Sequence, residues 1–220
     1  MFKDRKDAGG RLAGPLGHLT GANTRVLAIP KGGIPVGTQV ALRLDVPFSV
    51  LVTRKLPFPH NPESGFGAVA EDGTVYVLDA ARAGLAEDTV HQLIEQQRLE
   101  IQRRIDVLRD GLPLPELRGK TAVLVDDGIA MGSTMTASVR ACQNMAAAHV
   151  VVAAPTAAPR AVENLGREAD EVVVLESPPG FRAVADAYTE WHDVTDNEAI
   201  QTLRDYQEAR ADPAAQTRTK

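Results

Sequence analysis

Apolar residues along this chain gather in short unbroken runs, and the polar stretches between them carry apolar positions three and four residues apart. Residues 122–125 read Ala-Val-Leu-Val without polar alternation, as a strand buried on both faces of a parallel sheet does. Residues 24–30 (TRVLAIP), 46–53 (VPFSVLVT), 150–153 (VVVA) and 171–175 (EVVVL) read the same way. Helical spacing joins Leu12, Leu16 and Leu19, which predicts an amphipathic helix near the start, and residues 34–37 lead into a second helix that runs to about Leu44. Leu93, Ile94, Ile101, Ile105 and Leu108 predict a long surface helix over residues 87–109, where Glu100 can pair with Arg104 one turn on. Further helices are expected after Ser133 and, briefly, over residues 160–167.

Breakers divide these elements. Residues 56–67 (LPFPHNPESGFG) hold three prolines and two glycines and read as a long irregular loop, a candidate movable flap in which His60 and Glu63 could make contacts on closure. Residues 68–78 read as a hairpin turning at Glu71, Asp72 and Gly73. The alternation of strand and helix predicts an α/β fold, a doubly wound and mainly parallel sheet with ligand loops on one edge and a small hood or hairpin insertion. One domain is expected over residues 1–220, with residues 56–118 as the hairpin and long-helix insertion and residues 177–198 as a C-terminal hood segment. Residues 209–220 read as a frayed end.

The net charge of −5 gives no global basic field, so binding to nucleic acid or an anionic membrane surface is disfavoured and anion binding must be local. Arg98, Arg103, Arg104 and Arg109 alternate with acids and read as a solvated helix face, and Asp4 with Arg5 reads as a solvated ion pair. A single cysteine, Cys142, argues against disulfides and a Cys-rich metal site and for a reducing, cytoplasmic setting. No apolar run approaches the length of a membrane span, and the start MFKDRKDAGG is too polar for a secretory signal.

The chemistry concentrates after the run at residues 122–125. Asp126 and Asp127 end it, Gly128 to Gly132 form a tight turn, and Ser133 and Thr134 stand where a helix N-cap belongs. Glycines let backbone N–H groups point into one concavity, and the helix start adds partial positive charge, so such a loop can hold a phosphate. The two carboxylates accept hydrogen bonds and suit ribose hydroxyls or a metal ion. A ribose 5-phosphate satisfies both halves. No Lys follows Gly132, which excludes a P-loop, and the glycine spacing excludes a dinucleotide fingerprint. A second glycine loop, Lys31, Gly32 and Gly33, follows residues 24–30; it has a cation and no acid, which suits a diphosphate. Arg54 and Lys55, read as standing at the exit of another strand, could neutralise the same group.

The stretch VLVDDGIAMGST resembles the phosphoribosyl-diphosphate motif of type I phosphoribosyltransferases. The resemblance implies that Asp126 and Asp127 bind the ribose 2- and 3-hydroxyls and that Gly128, Ile129, Ala130, Met131, Gly132, Ser133 and Thr134 enclose the 5-phosphate. Met131 stands where the family usually has Thr, so one hydroxyl donor is missing, while Ser133 and Thr134 keep theirs. PKGG resembles the family's pyrophosphate loop. Residues 177–192 concentrate aromatics in a chain with only 4% of them, and comparison with purine phosphoribosyltransferases makes Phe181 a base-stacking candidate, with Tyr188 and Trp191 behind it; packing of the tail against the core explains these rings equally.

The implied reaction is transfer of the phosphoribosyl group from phosphoribosyl diphosphate to a nucleobase-like acceptor. Mg²⁺ would be held with the help of Asp126 and Asp127, and Lys31, Arg54 and Lys55 would stabilise the departing pyrophosphate. Two other readings stand beside it: a non-catalytic sensor of phosphoribosyl diphosphate or nucleotide, and a hydrolase with His60 as its base. As a loop acid, Asp127 is expected to be exposed. The acceptor and any homo-oligomer are left open.

Overall fold

Alternate side chains of the strand Thr121–Val125 feed two different cores. Val123 and Val125 pack with Val26, Val36, Val40 and Val151, whereas Ala122 and Leu124 pack with Leu27, Met135, Val139 and Val152. A strand whose two faces are both covered this way needs apolar residues at every position, which is why its sequence runs unbroken.

The computed structural model describes residues 1–78, 82 and 84–211, the side chains of Pro62 and Glu63 excepted. In chain order the elements are α1 (Arg5–Leu12), β1 (Thr24–Ala28), α2 (Gly33–Leu44), β2 (Phe48–Val50), β3 (Thr53–Phe58), β4 (Asn61–Ala70), β5 (Val75–Val77), α3 (Glu87–Arg109), β6 (Thr121–Val125), α4 (Ser133–Asn144), β7 (His149–Thr156), α5 (Pro159–Leu165), β8 (Glu171–Glu176) and α6 (Asp196–Ala211). The main sheet has five strands in the order β2-β1-β6-β7-β8, every pair parallel. Ala28, the last residue of β1, pairs with Val125, the last of β6, so these two strands end level and their following loops emerge side by side, while β7 runs on past Ala153 to Thr156. Helices α1, α2 and α6 cover one face, and α4 and α5 the other. The α/β expectation holds.

Four local expectations give way to tertiary packing. The first helix begins at Arg5 because Asp4 caps it, accepting the Asp7 N–H at 2.8 Å, and it ends at Leu12. Pro15 cannot extend it, so Leu16 and Leu19 reach the core from a turn. Residues 56–67 are not an irregular loop: they lie mostly within β3 and β4, which pair antiparallel, with register shifts at Leu56/Pro57 and Pro57/Phe58 accommodating the proline. Leu56 and Phe66 are fully buried there, and Phe58 stacks on Phe66 at 5.6 Å, which outweighs the turn-like composition. His60 is an exposed residue at the connection between these strands, and the side chain of Glu63 lies outside the described residues.

The solvated-face reading of α3 also fails in part. Arg98 and Arg103 make surface pairs, and Glu100 accepts from Arg104 at 2.9 Å as its spacing predicts. Arg109, however, is buried: it donates to the Glu71 carboxylate at 2.7 Å and to the Val50 carbonyl at 3.0 Å, and Glu71 also accepts the Val52 N–H at 2.7 Å. Glu71 is thus both part of the β4–β5 turn and the anchor between the small sheet β3-β4-β5, the end of α3 and the main sheet. Finally, α6 was not foreseen. Its signals were present: Thr195 and Glu198 form a reciprocal capping box, with N–H bonds of 2.8 and 3.2 Å, and Ala199, Leu203 and Tyr206 follow at helical spacing. Of the expected frayed end, residues 209–211 close α6 and residues 212–220 lie outside the described residues. No helix among the described residues is long and apolar enough to cross a membrane.

Arg109→Met is expected to destabilise the protein by about 3–5 kcal/mol, because the buried Glu71 carboxylate loses its cation. Urea denaturation at neutral pH measures this, and a second change, Glu71→Met, should restore much of the loss. Burial pushes the Cys142 thiol up to about 12, so an aromatic disulfide reagent at pH 8 should label Cys142 only after unfolding.

Candidate functional site

The connections from β1 and β6 leave the sheet toward opposite faces, into α2 and α4, which opens a crevice between two neighbouring carboxyl ends. The first loop is stitched to the end of β6 by the Ile29 N–H, which donates to the Val125 carbonyl at 2.9 Å. Its glycines are forced by contact. A Cβ on Gly33 would lie 2.6 Å from the Val125 carbonyl oxygen, and one on Gly32 would lie 1.9 Å from Asp127 Oδ2. The Pro30–Lys31 peptide bond in this loop is cis. The two sequence motifs therefore touch, glycine backbone against acid pair.

The second loop is held at its base and open at its tip. The Ile129 N–H donates to the Thr156 carbonyl at 3.0 Å, and the Ala158 N–H to the Ile129 carbonyl at 2.8 Å, which buries the Ile129 side chain. Gly128 packs so closely under Val184 that a Cβ would come within 2.4 Å. Beyond it, the N–H groups of Ala130, Met131 and Gly132 donate to no backbone carbonyl among the described residues. Gly132, at φ 82°, occupies the N-cap position of α4 that Ser133 and Thr134 were expected to fill, because the chain must pass through the left-handed region there. Ser133 becomes the first helical residue. Its Oγ is buried without a hydrogen-bond partner among the described residues, beside helix-start amides that have no intrahelical carbonyl to meet.

Electrostatically the acid pair is under strain. Burial first, and then the charge of Asp127, pushes the Asp126 carboxyl well above the usual carboxylate range. Burial also raises Asp127, against the opposing pull of Arg5. Arg5 Nε donates to Asp127 Oδ2 at 2.8 Å, and both side chains are nearly covered. Asp127 is thus not an exposed loop acid, and Arg5 is not half of a solvated pair with Asp4; the fold carries α1 to the mouth of β6. The Tyr188 hydroxyl donates to the Asp127 carbonyl at 2.6 Å.

Residues 6–181 match the family model described as phosphoribosyl transferase domain. This chain belongs to that phosphoribosyl transferase family. It is 40% identical over 222 residues to a Mycobacterium tuberculosis (strain H37Rv) protein named "Putative phosphoribosyl transferase Rv0571c", an alignment covering 98% of this chain and 50% of that protein. The chain spans about half the length of the curated relatives it matches. A solved structure, that of the protein TT1426 from Thermus thermophilus, superposes with a TM-score of 0.78 at 35% identity, over 94% of this chain and 99% of that one.

Within this phosphoribosyl transferase domain the fold gathers Lys31, Gly32, Gly33, Asp126, Asp127 and residues 128–134 at one sheet edge. Lys31 Nζ lies 3.3 Å from Asp196, whose other carboxylate oxygen takes Arg103 at 3.0 Å. Arg54 and Lys55 are not a pair at a main-sheet exit, because they sit inside β3, where alternation sends neighbours to opposite faces. Arg54 donates to Gln97 of α3 at 3.0 Å. Lys55 shares its face with Thr53, whose hydroxyl bonds Ser138 of α4 at 2.8 Å. Phe181 is half-buried beside a small cavity of about 190 Å³ that Thr156, Glu176 and Arg182 also line. Tyr188 and Trp191 instead pack into the N-terminal segment, with ring centroids 5.6 Å (Tyr188 to Phe2) and 5.0 Å (Tyr188 to Trp191) apart. Sequence reasoning placed Arg5 in a solvated pair and not at the site, since nothing local distinguishes it from the other cations of α1.

Gly33→Ala should cost about 1–3 kcal/mol in urea denaturation, because its Cβ would strike the backbone of Val125 and Asp126. Gly17→Ala, with no atom within 4 Å of the added Cβ, should be close to neutral and serves as the control.

Proposed function

We propose that this domain transfers the 5-phosphoribosyl group of phosphoribosyl diphosphate to a nitrogen of a nucleobase-like acceptor and releases pyrophosphate. One observation carries the reading: the Gly32-Gly33 backbone lies directly against the Asp126 and Asp127 carboxyls. A ligand bridging the two loops then needs a diol next to a diphosphate, which is the arrangement around C1 of phosphoribosyl diphosphate. The buried Ser133 hydroxyl and the free amides at the start of α4 supply donors for the 5-phosphate at the other end of the sugar. They also offset the hydroxyl lost where Met131 replaces the usual Thr.

The acid pair fits Mg²⁺. Both are hard oxygen donors, side by side at the mouth of the loop, and among the described residues no third His, Cys, Asp or Glu joins them. That donor set suits an ion that keeps several waters and shares substrate oxygens. When bound, Mg²⁺ lowers the negative charge on the diphosphate. The chain's own residues bind and orient: Asp126 and Asp127 accept from the sugar hydroxyls, residues 128–134 anchor the 5-phosphate, and the Gly32 amide with Lys31 receives the charge that develops on pyrophosphate, the Gly33 N–H being held by the Ile29 carbonyl. As the C1–O bond breaks, its electron pair leaves on pyrophosphate and the acceptor nitrogen bonds to C1. Lys55, on the α4 side of β3, and Arg54, which donates to Gln97, are the candidates for a second phosphate contact. Phe181 would offer its ring to the acceptor base.

The test is pyrophosphate release from phosphoribosyl diphosphate and Mg²⁺ across a panel of purine and pyrimidine bases. Release with one class of base is expected, and Asp126→Asn should reduce it at least about a hundredfold, as loss of a group that orients the reacting centre does. Calorimetric binding of phosphoribosyl diphosphate without release under any base would overturn the transferase reading in favour of a sensor.

A further inference from the structure

Arg5 lies more than a hundred residues before the acid pair in sequence, yet its guanidinium is held on three sides at the site. Nε donates to Asp127 Oδ2 at 2.8 Å, Nη1 donates to the His192 carbonyl at 2.8 Å, and the Trp191 ring lies 3.9 Å below its central carbon. Burying a guanidinium is costly unless its charge and donors are met, and here a carboxylate, a carbonyl and an aromatic face meet them. The partner carboxylate is equally confined. Asp127 Oδ2 is wedged between Arg5 and the Cα of Gly32, the Asp127 carbonyl takes the Tyr188 hydroxyl, and the Asp127 N–H donates to Asp126 Oδ1 at 2.9 Å.

From this geometry we infer that Arg5 is a positioning residue for sugar recognition: it fixes the Asp127 carboxylate in one orientation, so that the acid pair offers a rigid set of acceptors to a vicinal diol. The inference rests on the proposed phosphoribosyl site and adds to it that α1 and residues 188–192 build the ribose half. A carboxylate free to rotate would trade hydroxyl bonds for water. One whose Oδ2 is held between the Gly32 backbone and an Arg5 Nε that is itself anchored on the His192 carbonyl and the Trp191 ring has already lost that freedom, so less is lost when the sugar binds. Discrimination follows as well, because a locked acceptor without a hydroxyl to bind leaves a buried charge unsatisfied.

The chain's only tryptophan, Trp191, stacks on Arg5, so its fluorescence reads this corner directly. Wild-type protein, Arg5→Lys and Arg5→Gln are titrated with ribose 5-phosphate, 2-deoxyribose 5-phosphate and inorganic phosphate, with melting temperatures recorded alongside. In the wild type, ribose 5-phosphate should bind about tenfold or more tighter than the deoxy sugar and should shift the tryptophan signal. Arg5→Gln should erase most of that preference while inorganic phosphate binds within about twofold of wild type, and Arg5→Lys should recover part of it. The inference is overturned if a folded Arg5→Gln, or Arg5→Lys should the former not fold, keeps the full preference. It is overturned equally if phosphate binding falls in step with ribose 5-phosphate. A wild type that binds neither sugar phosphate nor phosphate would instead defeat the underlying site assignment.

Discussion

The contact between the Gly32-Gly33 backbone and the Asp126 and Asp127 carboxyls is what the rest of the molecule is arranged to hold. It needs β1 and β6 to be neighbours, parallel and level at their ends, and the pairing of Ala28 with Val125 supplies all three. It needs side chains absent from the first loop, since any Cβ there would occupy the space of a carboxyl oxygen or of the Val125 carbonyl. It also needs both faces of the sheet covered, so that the two following helices diverge and leave the crevice open. Hydrophobic burial thus sets the geometry of a polar site.

Placing two carboxyls together in a nearly covered corner costs several kcal/mol, and the fold offsets only part of that cost. Arg5 answers one charge, and backbone N–H and Tyr188 contacts fix the rest of the loop. Asp126 has no cation at hydrogen-bond distance among the described residues, and burial first, then the neighbouring Asp127 charge, raises its proton affinity. Under the proposed function, hydroxyl donors or a hard cation would complete what the protein leaves unmet. Ser133 repeats the logic at the other end of the loop, where a buried hydroxyl and several amides face no partner among the described residues. Stability is spent where a ligand can return it.

The small sheet and α3 stand in a different relation to the site. They are fastened to the main sheet from below through the buried Arg109–Glu71 pair, which ties the end of α3 to the stretch linking β2 with β3. Near the first loop, Asp196 bridges Lys31 and Arg103, so α6, α3 and the loop after β1 share one carboxylate. Any anion that draws Lys31 toward the crevice competes with that bridge, and the loop's charge is therefore set by elements far from it in sequence.

The strands of the main sheet, the two glycine loops and the acid pair were legible in the chain because each is a local pattern: unbroken apolar runs for strands covered on both faces, and a strand, a tight turn and a helix in immediate succession for the loops. The core of the hairpin and the long helix were legible for the same reason. What the sequence alone misread were positions whose surroundings are assembled from distant segments. Turn-like composition in residues 56–67 yielded to the burial of Leu56 and Phe66, Arg109 went inside because Glu71 was waiting there, and Arg54 and Lys55 parted because β3 alternates. Local pattern fixes which backbone conformation a segment prefers and therefore where a phosphate cradle can form. Which charge a carboxylate faces is a question of who arrives from across the fold, and for Asp127 that answer, Arg5 over Trp191, exists only once α1 and residues 188–192 have folded against the end of β6.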